Sequence, residues 1–235
     1  MRTFLKRLVS RLPAEWQRSL KRRWYRRQIV ANRFDLEGDE EEVLRRLLAP
    51  GDWVLDVGAN VGHYAVACSR IVGPSGRVVA LEPVPETFAL LSHNCLALEA
   101  GNVTLLNLAA SDRSSVRGMS VPRFASGLPR PTEAHLTDTS ESDDVHVVTL
   151  ALDDLSWPTR IALVKIDTEG HELSVLRGLA QLISRDRPHL IVEKSSDAVV
   201  VFLADFGYRL SPLSGPSNYV LVHQKAAGTG VATLA

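Results

Sequence analysis

The chain has 235 residues, 45% of them hydrophobic and 23% charged, with 15 glycines and 12 prolines. That composition fits a globular protein of one or two domains with a full apolar core, and it excludes a disordered, collagen-like or disulfide-stapled chain. The longest unbroken apolar run, Ala198–Ala204, has seven residues, whereas a membrane-spanning helix needs ~20, and no apolar signal-type stretch follows the basic start. The two cysteines, Cys68 and Cys95, fall in predicted helices and read as buried thiols of a reducing, cytoplasmic setting.

The formal net charge of zero conceals an uneven distribution: residues 1–27 hold ten Lys or Arg and one acid, and the rest of the chain holds 17 bases against 26 acids. In this basic arm Leu5, Leu8, Leu12, Trp16, Leu20 and Trp24 recur at the spacing of one helix face. Pro13 cannot sit inside a continuous helix, so two helices are expected, over 3–12 and 14–30. The stripe either packs on the acidic body, leaving a solvated basic face, or lies on an anionic membrane surface. An anionic substrate or nucleic acid is the third reading of the arm.

Past residue 39, Asp39 with Glu42 reads as a capping box for a short helix that Pro50-Gly51 ends. Trp53 to Val57 is a short buried strand. It runs into Gly58-Ala59-Asn60-Val61-Gly62 and then an apolar-periodic helix over 62–72. Strand, glycine loop and helix open a βαβ unit. The next strand, 77–82, ends in Glu82, an acid placed to accept hydrogen bonds from ribose hydroxyls. The loop reads Gly-x-Asn-x-Gly and lacks the central glycine that admits a pyrophosphate. A phosphate-free adenosine ligand such as S-adenosylmethionine (SAM) does not need it. Further strands are expected at 103–108, 161–166 and 189–193 and further helices at 85–98, 171–184 and 196–205. The strands at 208–211 and 218–223 read as a closing hairpin. Such alternation argues for a parallel α/β sheet. Residues 113–146, with Pro122, Gly127, Pro129 and Pro131 and an acidic, Ser/Thr-rich end, read as a long loop forming part of an acceptor pocket or a lid.

Several segments, in order, resemble the FkbM-type family of class I SAM-dependent methyltransferases. They are Asp56-Val-Gly-Ala-Asn-Val-Gly62, Leu81-Glu-Pro83, Asn107-Leu-Ala-Ala-Ser-Asp112, Lys165-Ile-Asp-Thr-Glu-Gly-His-Glu172, Val175-Leu-Arg-Gly178 and Ile191-Val-Glu193. The most specific of them is the Asp167-x-Glu169-Gly170-x-Glu172 segment. The resemblance implies an α/β, doubly wound, Rossmann-like, seven-stranded and mostly parallel sheet with one antiparallel strand near an edge, preceded by an N-terminal helical extension. The expected division is a basic helical extension over 1–36, a SAM-dependent methyltransferase domain over 37–224 and a tail over 225–235.

Ligands of open α/β sheets bind beyond the carboxyl ends of the strands. The expected SAM-binding residues are Asp56, Gly58, Ala59, Asn60, Gly62, His63, Glu82, Pro83, Asn107, Ala109 and Asp167. Asp167, Glu169 and His171 are the expected catalytic residues. Asp167 faces the methionine part of SAM or the acceptor, and Glu169 or His171 takes the acceptor proton, a role that typically contributes ~10²–10⁴-fold. Glu169 can instead cap the following helix, His171 can be an ordinary first-turn residue, and Glu172 reads as structural. The three side chains could also hold a divalent ion, but the resemblance does not require one and no metal is expected. The reading is a SAM-dependent O-methyltransferase acting on a hydroxyl of a sugar, glycan or secondary metabolite. A nucleic-acid methyltransferase lacks the expected Asn/Asp-Pro-Pro-aromatic segment here. A nicotinamide oxidoreductase lacks both the central glycine and a Tyr-x-x-x-Lys pair.

Overall fold

The computed structural model describes residues 9–10, 12–31, 33–36, 40–137, 145–193, 196–212 and 218–223, the side chains of 14, 193 and 210–223 excepted. The first arm helix and Asp39 therefore lie almost wholly outside the described residues. The second arm helix is α1 (Ala14–Val30), with Pro13 at its N-cap, where a missing N–H costs nothing. Helix α2 (Glu40–Leu47) opens on three glutamates and closes on Arg45 and Arg46, which pair back to Glu41 and Glu42 at 2.6 and 3.1 Å.

The body then alternates: β1 (Trp53–Val57), α3 (His63–Val72), β2 (Arg77–Leu81), α4 (Pro85–Ala97), β3 (Val103–Leu106), β4 (Ala109–Ala110), β5 (Ser115–Ser120), β6 (His135–Leu136), β7 (Val145–Leu150), β8 (Ile161–Ile166), α5 (Glu172–Arg177), α6 (Ala180–Asp186), β9 (His189–Glu193), α7 (Asp197–Asp205), β10 (Tyr208–Pro212) and β11 (Asn218–His223). The main sheet has seven strands in the order β10-β11-β9-β8-β1-β2-β3. Only β11 runs against its neighbours. Every residue of β8 is buried, as expected for a central strand covered on both faces. One core joins α2, α3 and α4 to the sheet, and another joins α5, α6 and α7 to its opposite face.

Three features depart from the sequence reading. The architecture is not a single sheet, because β4-β7-β5-β6 form a second one, to which the stretch read as a loop over 113–146 contributes β5, β6 and the first residues of β7. Residues 138–144 of that stretch lie outside the described residues. Helix 171–184 is two helices, interrupted at Gly178. A Cβ there would sit 1.9 Å from the Ser111 carbonyl oxygen, so the backbone of the break is pressed onto the strand-end segment behind it. The arm's apolar stripe is not what docks: Trp16, Leu20 and Trp24 are exposed, while Tyr25 and Ile29 pack on the core around buried Phe34. Periodicity identifies an apolar face but does not say what covers it.

Candidate active site

Strand order reverses between β1 and β8: the chain proceeds outward through β2 and β3, then returns to the other side of β1. At such a switch point the loops leaving the two strands diverge and open a crevice. A cavity of about 590 Å³ lies there, within the usual range for a small-molecule site.

Its rigid wall is the loop after β1. Gly58 and Ala59 donate backbone N–H bonds to the Leu81 carbonyl at 3.0 and 2.9 Å. Asn60, at φ 50°, donates its N–H to Glu82 Oε2 at 3.0 Å, and Val84 N–H reaches Glu82 Oε1 at 2.9 Å. Gly58 has φ +77°, and an added Cβ would lie 1.8 Å from the Asp167 carbonyl oxygen. The glycine is thus required where the β1 and β8 loops touch. Gly62, at φ +100°, abuts Leu91 on α4, 2.7 Å from where its Cβ would be. The Asn94 amide of the same helix donates to the Val61 carbonyl at 2.9 Å.

Of the expected cofactor residues, Gly58, Ala59, Asn60, His63, Glu82, Pro83, Ala109 and Asp167 line the cavity. Asp56, Gly62 and Asn107 do not; they stand behind it. Asn107 clamps the loop after β2 by donating to the Glu82 and Pro83 carbonyls at 2.8 and 3.0 Å. Asp56 is fully buried, and burial raises its carboxyl above the usual range while Lys165, with Nζ 3.8 Å away, pulls the other way. Burial likewise raises Glu82 to about 7, opposed by its two backbone N–H bonds.

Lys165 is the organising cation, and the sequence reading assigned it no role. It is the one charge in the apolar run Ile161–Ile166. Its buried Nζ lies 3.2 Å from Asp167 Oδ2, 3.4 Å from the Gly58 carbonyl oxygen and 4.8 Å from the centre of the Tyr64 ring. It thereby links β1, β8 and α3 beneath the cavity. A charge isolated within a buried strand was the available signal.

Asp167, Glu169 and His171 all line the cavity. Glu169 holds φ 48° and Gly170 φ 94°, a strained turn of the kind that accumulates at functional sites. The turn is fixed by buried Glu172, whose Oε1 accepts from Thr168 N–H, Thr168 Oγ1 and Gly170 N–H at 3.3, 3.2 and 3.0 Å. The carboxylate that ties the loop to the helix is therefore Glu172. His171 Nε2 lies 2.9 Å from Ser111 Oγ, and Ser111 Oγ donates to Asp112 Oδ1 at 3.3 Å. Ser111 thus holds the His171 ring at Nε2, with the donor set by the tautomer of the imidazole. Ser111 lies within the Asn107–Asp112 segment, but sequence reasoning missed its contact with His171. Among the described residues, no three His, Cys, Asp or Glu side chains converge as a metal site.

The opposite wall comes from elements outside the βα alternation. Asp35, Leu36 and Glu40 line it from the segment after α1, and Met119, Pro131, Ala134 and Leu136 from the second sheet. His63 stacks on Phe34 with ring centres 4.0 Å apart and planes 15° apart. Burial first, and the Glu40 carboxylate second, push the Tyr64 phenol upward.

The fold and this crevice at the β1/β8 switch define a class I methyltransferase-like α/β protein. A family model of the methyltransferase FkbM domain matches residues 56–210, and the chain belongs to that family. It is 34% identical to the hexuronic acid methyltransferase AglP of Haloferax volcanii, over 63% of this chain and 59% of that protein. It is 32% identical to the 31-O-demethyl-FK506 methyltransferase FkbM of Streptomyces tacrolimicus, over 56% of this chain and 61% of that one. The chain thus spans less than two thirds of these relatives' length. The crystal structure of methyltransferase FkbM from Methylobacillus flagellatus shares the fold at a TM-score of 0.50 and 15% identity, covering 77% of this chain and 50% of that one.

Proposed function

We propose that the protein is a SAM-dependent O-methyltransferase acting on a hydroxyl of a sugar or glycan, with secondary-metabolite hydroxyls as the wider class. The observation that carries this reading is the convergence on one cavity of the glycine loop, Glu82 and the Asp167–His171 turn. The sugar class is supported by family membership and by the hexuronic acid named for one relative.

The residues fit SAM. Each Glu82 oxygen accepts one backbone N–H and retains a second lone pair for a ribose hydroxyl. The loop Gly58–Gly62 has no glycine-cleared space for a pyrophosphate, and an adenosine without phosphates needs none. Asp167, paired with Lys165, faces the cavity as the carboxylate for the methionine end or the acceptor. When bound, SAM supplies a methyl on a positively charged sulfur. The protein's part is to hold the acceptor oxygen in line, exclude water and take a proton. His171, whose ring is held by Ser111 at the cavity wall, is the proposed base, and Glu169 in its strained turn is the alternative. The functional unit covers the body from about residue 37 to 224, with the arm as a separate recognition element.

His171→Ala should lower kcat by roughly 10²–10⁴-fold with the SAM dissociation constant unchanged. Ser111→Ala should lower kcat less and shift the acidic limb of the pH profile, because its loss frees the imidazole to change tautomer. Methyl transfer from labelled SAM to a panel of glycosides, beside calorimetric SAM titration, reads both. Full activity of His171→Ala and Glu169→Gln together would end this assignment.

The outer face of α1 supports a second reading for the arm. Trp16, Leu20 and Trp24 stand exposed, and Arg23 and Arg27, three residues beyond Leu20 and Trp24, share their face. Apolar rings among arginines suit the surface of an anionic membrane. Among the described residues no helix is long and apolar enough to cross one.

A further inference from the structure

Tyr25 and Ile29 of α1 pack on the core, but the earlier turns of α1 that face the body are polar. Gln17, Arg18 and Lys21 line a second cleft of about 320 Å³ together with Val84, Pro85, Val121, Arg123 and Pro129. Val84 and Pro131 line both this cleft and the main cavity, so the two spaces meet along a common wall.

The cleft has an apolar floor and a cationic rim. Val84, Pro85, Val121 and Pro129 offer carbon surface of the kind a pyranose ring covers, and Arg18, Lys21 and Arg123 reach it from two separate parts of the chain. Among the described residues of the cleft one acid opposes them: Glu86 lies 3.6 Å from Arg18. Arg123 Nη1 donates to the Gly127 carbonyl at 3.2 Å, a bond that leaves its charge unneutralised. Lys21, half-buried on this face, makes no ion pair among the described residues. Among the described residues the basic side chains at this cleft outnumber the acidic ones, although the chain beyond the arm is acidic, with 17 bases against 26 acids.

We infer that this cleft is the subsite for an acidic group on the methyl acceptor, a carboxylate or phosphate carried by a sugar, held by Lys21 and Arg123 with Arg18 at the rim. The inference rests on the reading of the main cavity as the methyl-transfer site. The basic arm then contributes to acceptor selection through its inner face. Because the cations sit at a rim open to solvent, the effect depends on salt.

The test uses the full chain loaded with S-adenosylhomocysteine and three probes, glucuronate, glucose 1-phosphate and glucose, titrated by ligand-observed NMR. Both acidic sugars should bind more tightly than glucose, by roughly tenfold at low salt, and the preference should collapse in high salt. The more strongly bound of the two tells a carboxylate from a phosphate acceptor. Lys21→Glu with Arg123→Glu should abolish the preference while S-adenosylhomocysteine affinity stays at the wild-type value. Either residue alone should give part of the loss, which guards against a fold defect in the pair. Equal binding of glucose and glucuronate, binding of none of the three, or an acid preference that survives both substitutions would overturn the inference. Failure of the wild type to bind S-adenosylhomocysteine would instead overturn the reading of the main cavity. The anion titration of the unloaded protein would then still decide the cleft.

Discussion

The two walls of the cavity are built on different principles. The wall from β1, β2 and β8 is held by backbone: N–H groups of Gly58, Ala59 and Asn60 are spent on the end of β2 and on Glu82, and Gly58 rests directly on Asp167. The facing wall, from the segment after α1 and from the second sheet, is held by side-chain packing, with Phe34 stacked on His63 and a small core of Val84, Ala109, Met119, Val121 and Val147. The first wall can present one shape only, which suits an invariant cofactor. The second can be rebuilt residue by residue, which suits an acceptor that varies between members of one family.

Matched glycine substitutions break this comparison most sharply. Gly58→Ala forces a Cβ to within 1.8 Å of a carbonyl oxygen at φ +77°. The clash and the left-handed strain together should cost on the order of 4 kcal/mol and lower Tm by roughly 10 °C, with loss of SAM binding. Gly127→Ala, in the exposed turn between β5 and β6 and outside the cavity lining, meets nothing within 4 Å, at φ +84°, and should cost only the conformational strain of about 1 kcal/mol. Comparable melting shifts in the two variants would show that the contact of Gly58 with Asp167 does not lock that wall.

Glu82 tests the locked wall by pH. Its carboxyl, raised by burial to about 7, binds a proton in the folded protein that the unfolded chain has released. Between about pH 4.5 and 7 the native state therefore holds more protons, and this group's contribution to stability falls as pH rises, by no more than about 3 kcal/mol in total. Thermal melts of the ligand-free protein should show Glu82→Gln gaining on the wild type as pH increases through that window. Ribose hydroxyls donate to the ionised form, so wild-type affinity for S-adenosylhomocysteine should rise from pH 6 to 8 while that of Glu82→Gln stays low and flat. A wild type and variant that melt in parallel across the range would show that the Glu82 carboxyl titrates as it does in the unfolded chain.

The same division governs how much could be read from the sequence. Strand ends are legible because a glycine loop, an acid at a strand tip and a polar residue closing an apolar run each break a regular pattern. The main sheet follows from those breaks, and so do the eight of eleven expected cofactor residues that line the cavity. Asp56, Gly62 and Asn107 sit among the same motifs yet serve the loop from behind, a distinction that needs three-dimensional distance. The second sheet was obscured because β4 and β6 have two residues each and prolines and a glycine lie between the longer strands. Its one clear trace is in Val145–Leu150, where Val147 and Thr149 are buried and His146 and Val148 are not, a period of two. Thr149 hides in that pattern as a polar residue because its hydroxyl is satisfied by the Arg113 and Ser115 carbonyls at 3.0 and 3.2 Å. Lys165 is harder to read for the converse reason: Asp167 is two residues away, but its other partners, Asp56 and the Gly58 carbonyl, are over a hundred residues away in sequence.

Helix α1 carries the comparison to its smallest scale, since its two faces present different chemistry. The inner face turns Lys21 to the cleft and Tyr25 to the core, whereas the outer face exposes Trp16 and Trp24 at 64% and 55%. If the outer face meets lipid, the protein should sediment with phosphatidylserine-containing vesicles and not with phosphatidylcholine alone, and salt should release it, each arginine near the surface adding about 1 kcal/mol. Trp16→Ser with Trp24→Ser removes ring surface already in water, so Tm should hold while vesicle binding falls by roughly tenfold or more. Lys21→Glu should leave vesicle binding nearly intact and weaken only the acidic-sugar preference. Equal sedimentation with neutral and anionic vesicles would remove the membrane reading. Loss of both properties in the tryptophan variant alone would mean that α1 acts as one surface and that its two faces do not work separately.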